Sequence, residues 1–182
     1  MKVSVHNSFD DLPESAVQLC RRVTRHRWFE SLDWYVCLYS TTLEGTVKPR
    51  LYVVRDAAGE AVVCFFCCTR NTQDRELSSL SNYYTMEFGP IVREGANVRE
   101  AVHHLVEFIS AERPRWHTVR LDYLKESNSA TAILVEGLGT AGYSVRRHHQ
   151  FENWYHDCTG TGFDQYFAAR PSRLRNTIER KG

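Results

Sequence analysis

The sequence predicts an α+β fold built on a mixed, mostly antiparallel sheet, and three observations carry that expectation. First, two apolar runs, Leu51 to Arg55 and Ala61 to Thr69, flank the turn Asp56-Ala-Ala-Gly59, the pattern of a β-hairpin. Second, a strand–helix–strand run follows, and such a crossover requires parallel partners, so both pairing senses share one sheet. Third, 182 residues that are 42% hydrophobic and 25% charged suffice for one sizeable core and are too apolar for a disordered chain.

The elements follow in order. Val3 to Val5 alternates as a first strand. Asp11-Leu-Pro-Glu14 has the form of a capping box with proline in the first turn. Leu12, Ala16, Leu19, Cys20 and Val23 then recur at helical spacing. An aromatic-rich stretch from Trp28 to Leu43 predicts a second helix, and after the hairpin Leu80 to Val92 reads as another strand region. Asn97-Val-Arg-Glu100 is a second capping box, opening a helix whose Val98, Val102, Leu105 and Ile109 share a face and which Pro114 ends. Thr118 to Leu124 predicts a strand, and Ser129 to Leu138 a helix stopped near Gly139 or Gly142. Tyr143 to Asp157 predicts one or two further strands. No internal repeat is visible, and no linker precedes about Cys158, so residues 1–158 are expected to form one module and 159–182 a basic linker helix.

Several function classes drop out on composition. A formal net charge of +1 gives no global pull towards nucleic acid or anionic lipid. The longest apolar run, Ala61 to Cys68, is too short to cross a bilayer. The opening residues have no signal-peptide core, so a cytoplasmic location is expected. Cys64 and Cys67 sit three apart on a strand and point to opposite faces. Cys64 and Cys68 share a face, but nothing nearby completes a tetrahedral set, so the cysteines read as small core hydrophobes and no metal is expected. His148, His149, His156 and Cys158 also lack ligand spacing on any one element.

The last twenty residues, FDQYFAARPSRLRNTIERKG, stand apart. They hold five basic residues (Arg170, Arg173, Arg175, Arg180 and Lys181) against two acidic ones, while the rest of the chain is faintly acidic. Leu174 and Ile178 form an apolar stripe if Pro171 opens a helix. This segment resembles the one joining the two halves of the BioF/CelD-like acetyltransferases, a branch of the GNAT superfamily related to the Fem-type aminoacyltransferases. WFESLDWY, PRLYVVRDAAGEAVV and LSNYYTMEFGPIV resemble the first half of the same family. The resemblance spans nearly the whole chain. It implies a three-layer GNAT-like module, an acetyl-CoA or other acyl-CoA donor, an amine acceptor on a sugar or small metabolite, and a second module carrying the donor chemistry.

In such a fold the turn between strand and helix cups the donor pyrophosphate with backbone N–H groups. The resemblance places that turn at Val92, Arg93, Gly95, Ala96 and Asn97. The pattern Q/R-x-x-G-x-G/A is matched at Arg93, but Ala96 stands at its glycine and Val98 at its second small residue, and Glu94 adds a negative charge. For an acyltransferase, Glu87 is the candidate base by position and Tyr155 the candidate acid, with Tyr83, Tyr84, Asp122 and Tyr123 behind them. Each has a plainer reading as a sheet tyrosine or a solvated carboxylate. Arg170, Arg173 and Arg175 are either phosphate contacts or the charged face of a linker helix; no aromatics lie among them, as single-stranded nucleic acid would require. Two functions follow: an acyl-CoA-dependent N-acyltransferase, or a catalytically silent half that packs against a catalytic partner module.

Overall fold

The computed structural model describes residues 1–23, 27–70, 75–152 and 160–181. Their contacts gather into two compact units, Met1–His149 and Gln150–Gly182.

The first unit is α+β. Its sheet runs in the order β1 (Lys2–His6), β2 (Lys48–Arg55), β3 (Ala61–Thr69), β4 (Glu76–Ser79), β6 (Thr118–Arg120), with β5 (Ile91–Val92) also on β3. All pairs are antiparallel except β4 with β6, so the predicted mixture of hairpin and crossover is what forms. Residues 61–68 of β3 are buried on both faces, because the strand lies between two layers of helix. Its even-numbered side chains meet α1 (Glu14–Val23) and α2 (Leu32–Leu38): Cys64 Sγ lies 4.0 Å from the Ala16 carbonyl, and the Phe66 ring packs edge-on against Tyr35 at 4.9 Å. On the other face Tyr52, opposite Phe65 in the ladder, packs on Phe108 of α3 (Val98–Ala111) at 6.2 Å, and α4 (Ser129–Thr140) packs on α3. The alternation that directs side chains to opposite faces of a strand thus sorts this core into two halves.

The helices begin and end as their caps dictate. Asn97 accepts from the Glu100 N–H at 3.2 Å, the first half of the capping box, while the Glu100 carboxylate accepts from the Asn97 side-chain amide at 3.1 Å and not from its backbone N–H. Asn128 caps α4 through the Ala130 N–H. That helix stops at Gly142 (φ +89°), with Tyr143 N–H on the Leu138 carbonyl and Gly142 N–H on that of Gly139, a Schellman end.

Five expectations require correction. The second helix, expected from Trp28 to Leu43, is a 3-10 turn at Trp28–Glu30, then α2, capped by Ser31, then a π-helical turn at Tyr39–Leu43. At the first corner Ser8, not Asp11, makes the recorded capping contact, to the Asp10 N–H of a 3-10 turn. The strand region Leu80 to Val92 is two short strands and a loop. Ser79 stands opposite Cys67, so unbroken pairing would set Asn82 opposite Cys64; Ile91 stands there instead, nine residues on. The break has a local cause: the Asn82 side chain accepts from the Tyr84 N–H at 2.9 Å, and Pro90 has no N–H to donate. Likewise β6 ends at Arg120, followed by a lone parallel bridge between Phe88 and Leu124. No strand occupies 143–152, where no ladder reaches the chain; the rest of the predicted Tyr143 to Asp157 segment lies outside the described residues.

The second unit holds α5 (Phe163–Ala168), which the sequence did not announce, and α6 (Ser172–Lys181), which begins after Pro171 as expected. Leu174 and Ile178 are each 44% exposed. The Arg170 guanidinium lies 4.4 Å above the Tyr166 ring, so an aromatic does reach the arginines of this segment. Among the described residues no helix is long and apolar enough to cross a membrane.

Candidate functional site

The turn from β5 into α3 holds the predicted donor-binding residues together, with Glu94, Gly95 and Asn97 exposed and Val92, Arg93 and Ala96 half-buried. Val92 pairs with Val63, and the Arg93 N–H bonds the Val62 carbonyl. The Arg93 guanidinium donates to Asp56 at 2.7 Å, tying the turn to the β2–β3 hairpin. That bond, foremost, holds the Asp56 carboxyl below its ordinary range. Gly95 adopts φ +73°, a left-handed conformation that glycine takes without a Cβ penalty, and the Ala96 N–H closes the turn on the Arg93 carbonyl at 3.3 Å. Asn97 takes up the Glu100 N–H, and Ala96 and Val98 pack against the core. Three N–H groups, those of Arg93, Ala96 and Glu100, and the Arg93 charge are therefore engaged within the protein, while the N–H groups of Gly95, Asn97, Val98 and Arg99 have no partner among the described residues.

Glu87 lies before β5, and the turn lies after it. Its side chain is 29% exposed and accepts from Lys125 Nζ at 2.8 Å, joining the looped-out segment to the loop after β6. Close to it sits Glu30, only 3% exposed, which accepts from Arg27 at 3.1 Å. Burial pushes the Glu30 carboxyl up; Arg27 opposes the shift, and the Glu87 charge adds to it. The Tyr35 phenol, fully buried near Glu30, is also driven well up by burial. Tyr83 and Tyr84 form the tip of the loop, 84% and 67% exposed, with their rings 5.9 Å apart. Asp122 accepts from Arg120 at 3.1 Å, and Tyr123 (φ +63°) uses its carbonyl to hold the Phe88 N–H. Tyr155 lies outside the described residues, as do His156 and Cys158. His148 and His149 are exposed.

The cysteines of β3 are buried thiols. Burial raises Cys67 well above its ordinary range and Cys68 to about 11; Cys64 is raised first by its contact with the Cys20 thiol and then by burial. Such thiols are protonated and unreactive at neutral pH.

A second polar cluster, which the sequence reading passed over, lies at the other end of α3. Glu112 accepts from the Arg50 guanidinium, from the Tyr52 hydroxyl at 2.9 Å, and from the Trp116 indole N–H. Arg50 also donates to the Tyr52 oxygen at 3.0 Å and lies 5.2 Å from the Trp116 ring. A cleft of about 590 Å³ opens beside this network. Its one advance signal is the alternation of Lys48, Arg50 and Tyr52 on one face of β2, which puts three polar side chains on the same side of the strand.

The geometry defines an α+β module with a helix-entry turn tied to the hairpin through Arg93, an ion-paired Glu87 and an open cleft at the far end of the sheet. Comparison with protein-family models, with curated proteins and with solved structures found no match for this chain.

Proposed function

We propose that this chain is one module of an acyl-CoA-dependent N-acyltransferase acting on an amine of a sugar or small metabolite, and that it is the module that does not hold the donor. The family reading rests on the sequence resemblance, and the order of hairpin, helix and parallel crossover is compatible with it. The division of labour rests on the turn 93–97. A pyrophosphate cradle needs unengaged N–H groups at a helix N-terminus. Here only part of that set is unengaged: the Ala96 and Glu100 N–H groups and the Arg93 guanidinium already have partners. A second module would then supply the donor site, and this one would pack against it and shape access for the acceptor.

The competing reading has this module bind acyl-CoA itself, with Glu87 taking the proton from the attacking amine. What favours it is position: Glu87 stands on the loop that interrupts the β3 edge, with a second carboxylate, Glu30, beside it. It would require Lys125 to release Glu87.

Calorimetric titration of acetyl-CoA into the chain, with free CoA as control and circular dichroism to verify the fold, separates the two. The expected outcome at about 1 mM ligand, where a site with a dissociation constant of about 1 mM is half filled, is no binding that depends on the turn 93–97, so that Gly95→Val leaves the titration unchanged. Micromolar binding of acetyl-CoA that Gly95→Val abolishes would overturn the assignment and give this module the donor.

A further inference from the structure

We propose that the cleft at the C-terminal end of α3 binds a phosphate-bearing small molecule of nucleotide size. This site is independent of the donor turn, which lies at the opposite end of the same helix.

The cleft has the size for it: about 590 Å³ lies within the range of small-molecule sites. Its walls carry Lys48, Arg50, Arg75 and Arg113 against one carboxylate, Glu112, with Tyr39 and Trp116 as aromatic surface. Two features that would repel an anion there are already neutralised. A helix C-terminus presents unpaired carbonyls and a partial negative charge, but Arg113 covers those of Ser110, Ala111 and Glu112 at 3.5, 2.9 and 2.9 Å. The Glu112 carboxylate is taken up by Arg50, Tyr52 and Trp116. Arg50 and Arg113 are thus committed to the protein, and the uncommitted charge belongs to Lys48 and Arg75.

Neither Lys48 nor Arg75 has a carboxylate partner among the described residues; Arg75 makes a long contact of 3.4 Å to the His117 ring. One opens β2 and the other immediately precedes β4, so two separate segments deliver a positive charge to one opening. Two convergent cations suit a group carrying more than one negative charge, as a phosphate does at neutral pH, better than a single carboxylate. The network beneath them is preformed, so binding requires little ordering of the protein.

The test is calorimetry of the chain at low salt with three ligands: ADP, pyrophosphate and adenosine. ADP and pyrophosphate should bind with dissociation constants below about 1 mM, and adenosine should not. Lys48→Glu and Arg75→Glu, both at exposed positions, should each weaken ADP at least about tenfold while leaving the circular dichroism spectrum unchanged. Added salt should weaken it as well. The proposal is overturned if neither phosphate ligand binds, if adenosine binds as tightly as ADP, or if both variants bind ADP as the parent does. ADP binding that Gly95→Val abolishes and Lys48→Glu leaves intact would also overturn it, by placing the nucleotide on the donor turn. Acetyl-CoA carries an ADP group of its own and can enter this cleft, so its affinity bears on the assignment of the modules only where Gly95→Val abolishes it and Lys48→Glu does not.

Discussion

At its N-terminal end α3 is capped by its own neighbours: Asn97 bonds Glu100, Ala96 bonds Arg93, and Gly95 supplies the bend. At its C-terminal end the same helix is held by residues 62 and 60 positions away, Arg50 and Tyr52, which converge on Glu112. The first arrangement is local and lies near solvent. The second is long-range and half-buried, with Glu112 only 10% exposed and Arg50 25%. Local polar contacts decide where a helix starts, and long-range buried ones fix how it sits on the sheet. The two should therefore differ in what they contribute to stability.

The largest expected effect is at Glu112. Glu112→Ala leaves the Arg50 guanidinium, the Tyr52 hydroxyl and the Trp116 N–H without their shared acceptor in a poorly solvated site. Breaking such a buried charge network costs about 3–5 kcal/mol. Urea denaturation should show a marked drop in midpoint, with Glu112→Gln recovering part of it because the amide oxygen still accepts. At the other end, Asn97→Ala removes one cap and should cost about 1 kcal/mol. Equal costs for the two alanine variants would erase the distinction between the ends.

This contrast also explains which features were legible in the sequence. Both hairpin strands, the α3 capping box and its apolar face, and the start of α6 after Pro171 depend on residues within a few positions of one another. Sequence spacing reports such contacts directly. Nothing local marked Glu112, whose partners lie across the sheet, or Glu30, whose burial depends on the packing of a 3-10 turn. The misread strand between Leu80 and Val92 is a mixed case. Its ends do pair with β3, at Leu80 N–H on the Phe66 carbonyl and at Ile91 opposite Cys64. Its middle is diverted by the Asn82 turn and Pro90, two local signals within the segment itself. Of the candidate site, the sequence located the turn 93–97 and Glu87 but not their engagement: Asp56 and Lys125, the groups that tie them down, sit 37 and 38 positions away.

The smallest effect is the most diagnostic of how the N-terminal end is tied down. Asp56 accepts from Arg93, and this bond lowers its carboxyl below the ordinary 3.8. A carboxyl depressed in the folded state stabilises the fold above the unfolded value and loses that contribution as pH falls through the folded one. The loss from Asp56 thus lies below about pH 4, where the unfolded chain takes up its proton before the folded chain does. Glu30 has the opposite sign: its carboxyl is raised from 4.5, so its ionisation weighs against the fold as pH climbs above that value. Asp56→Asn should therefore flatten the decline in stability below pH 4 and leave the range above pH 4.5, where Glu30 acts, unchanged in slope. Thermal midpoints of parent and variant between pH 3 and pH 6 would read this. Parallel curves across the whole range would mean that Arg93 does not hold Asp56 in solution. The turn would then have a guanidinium to offer a phosphate, and the case for a donor site on this module would strengthen.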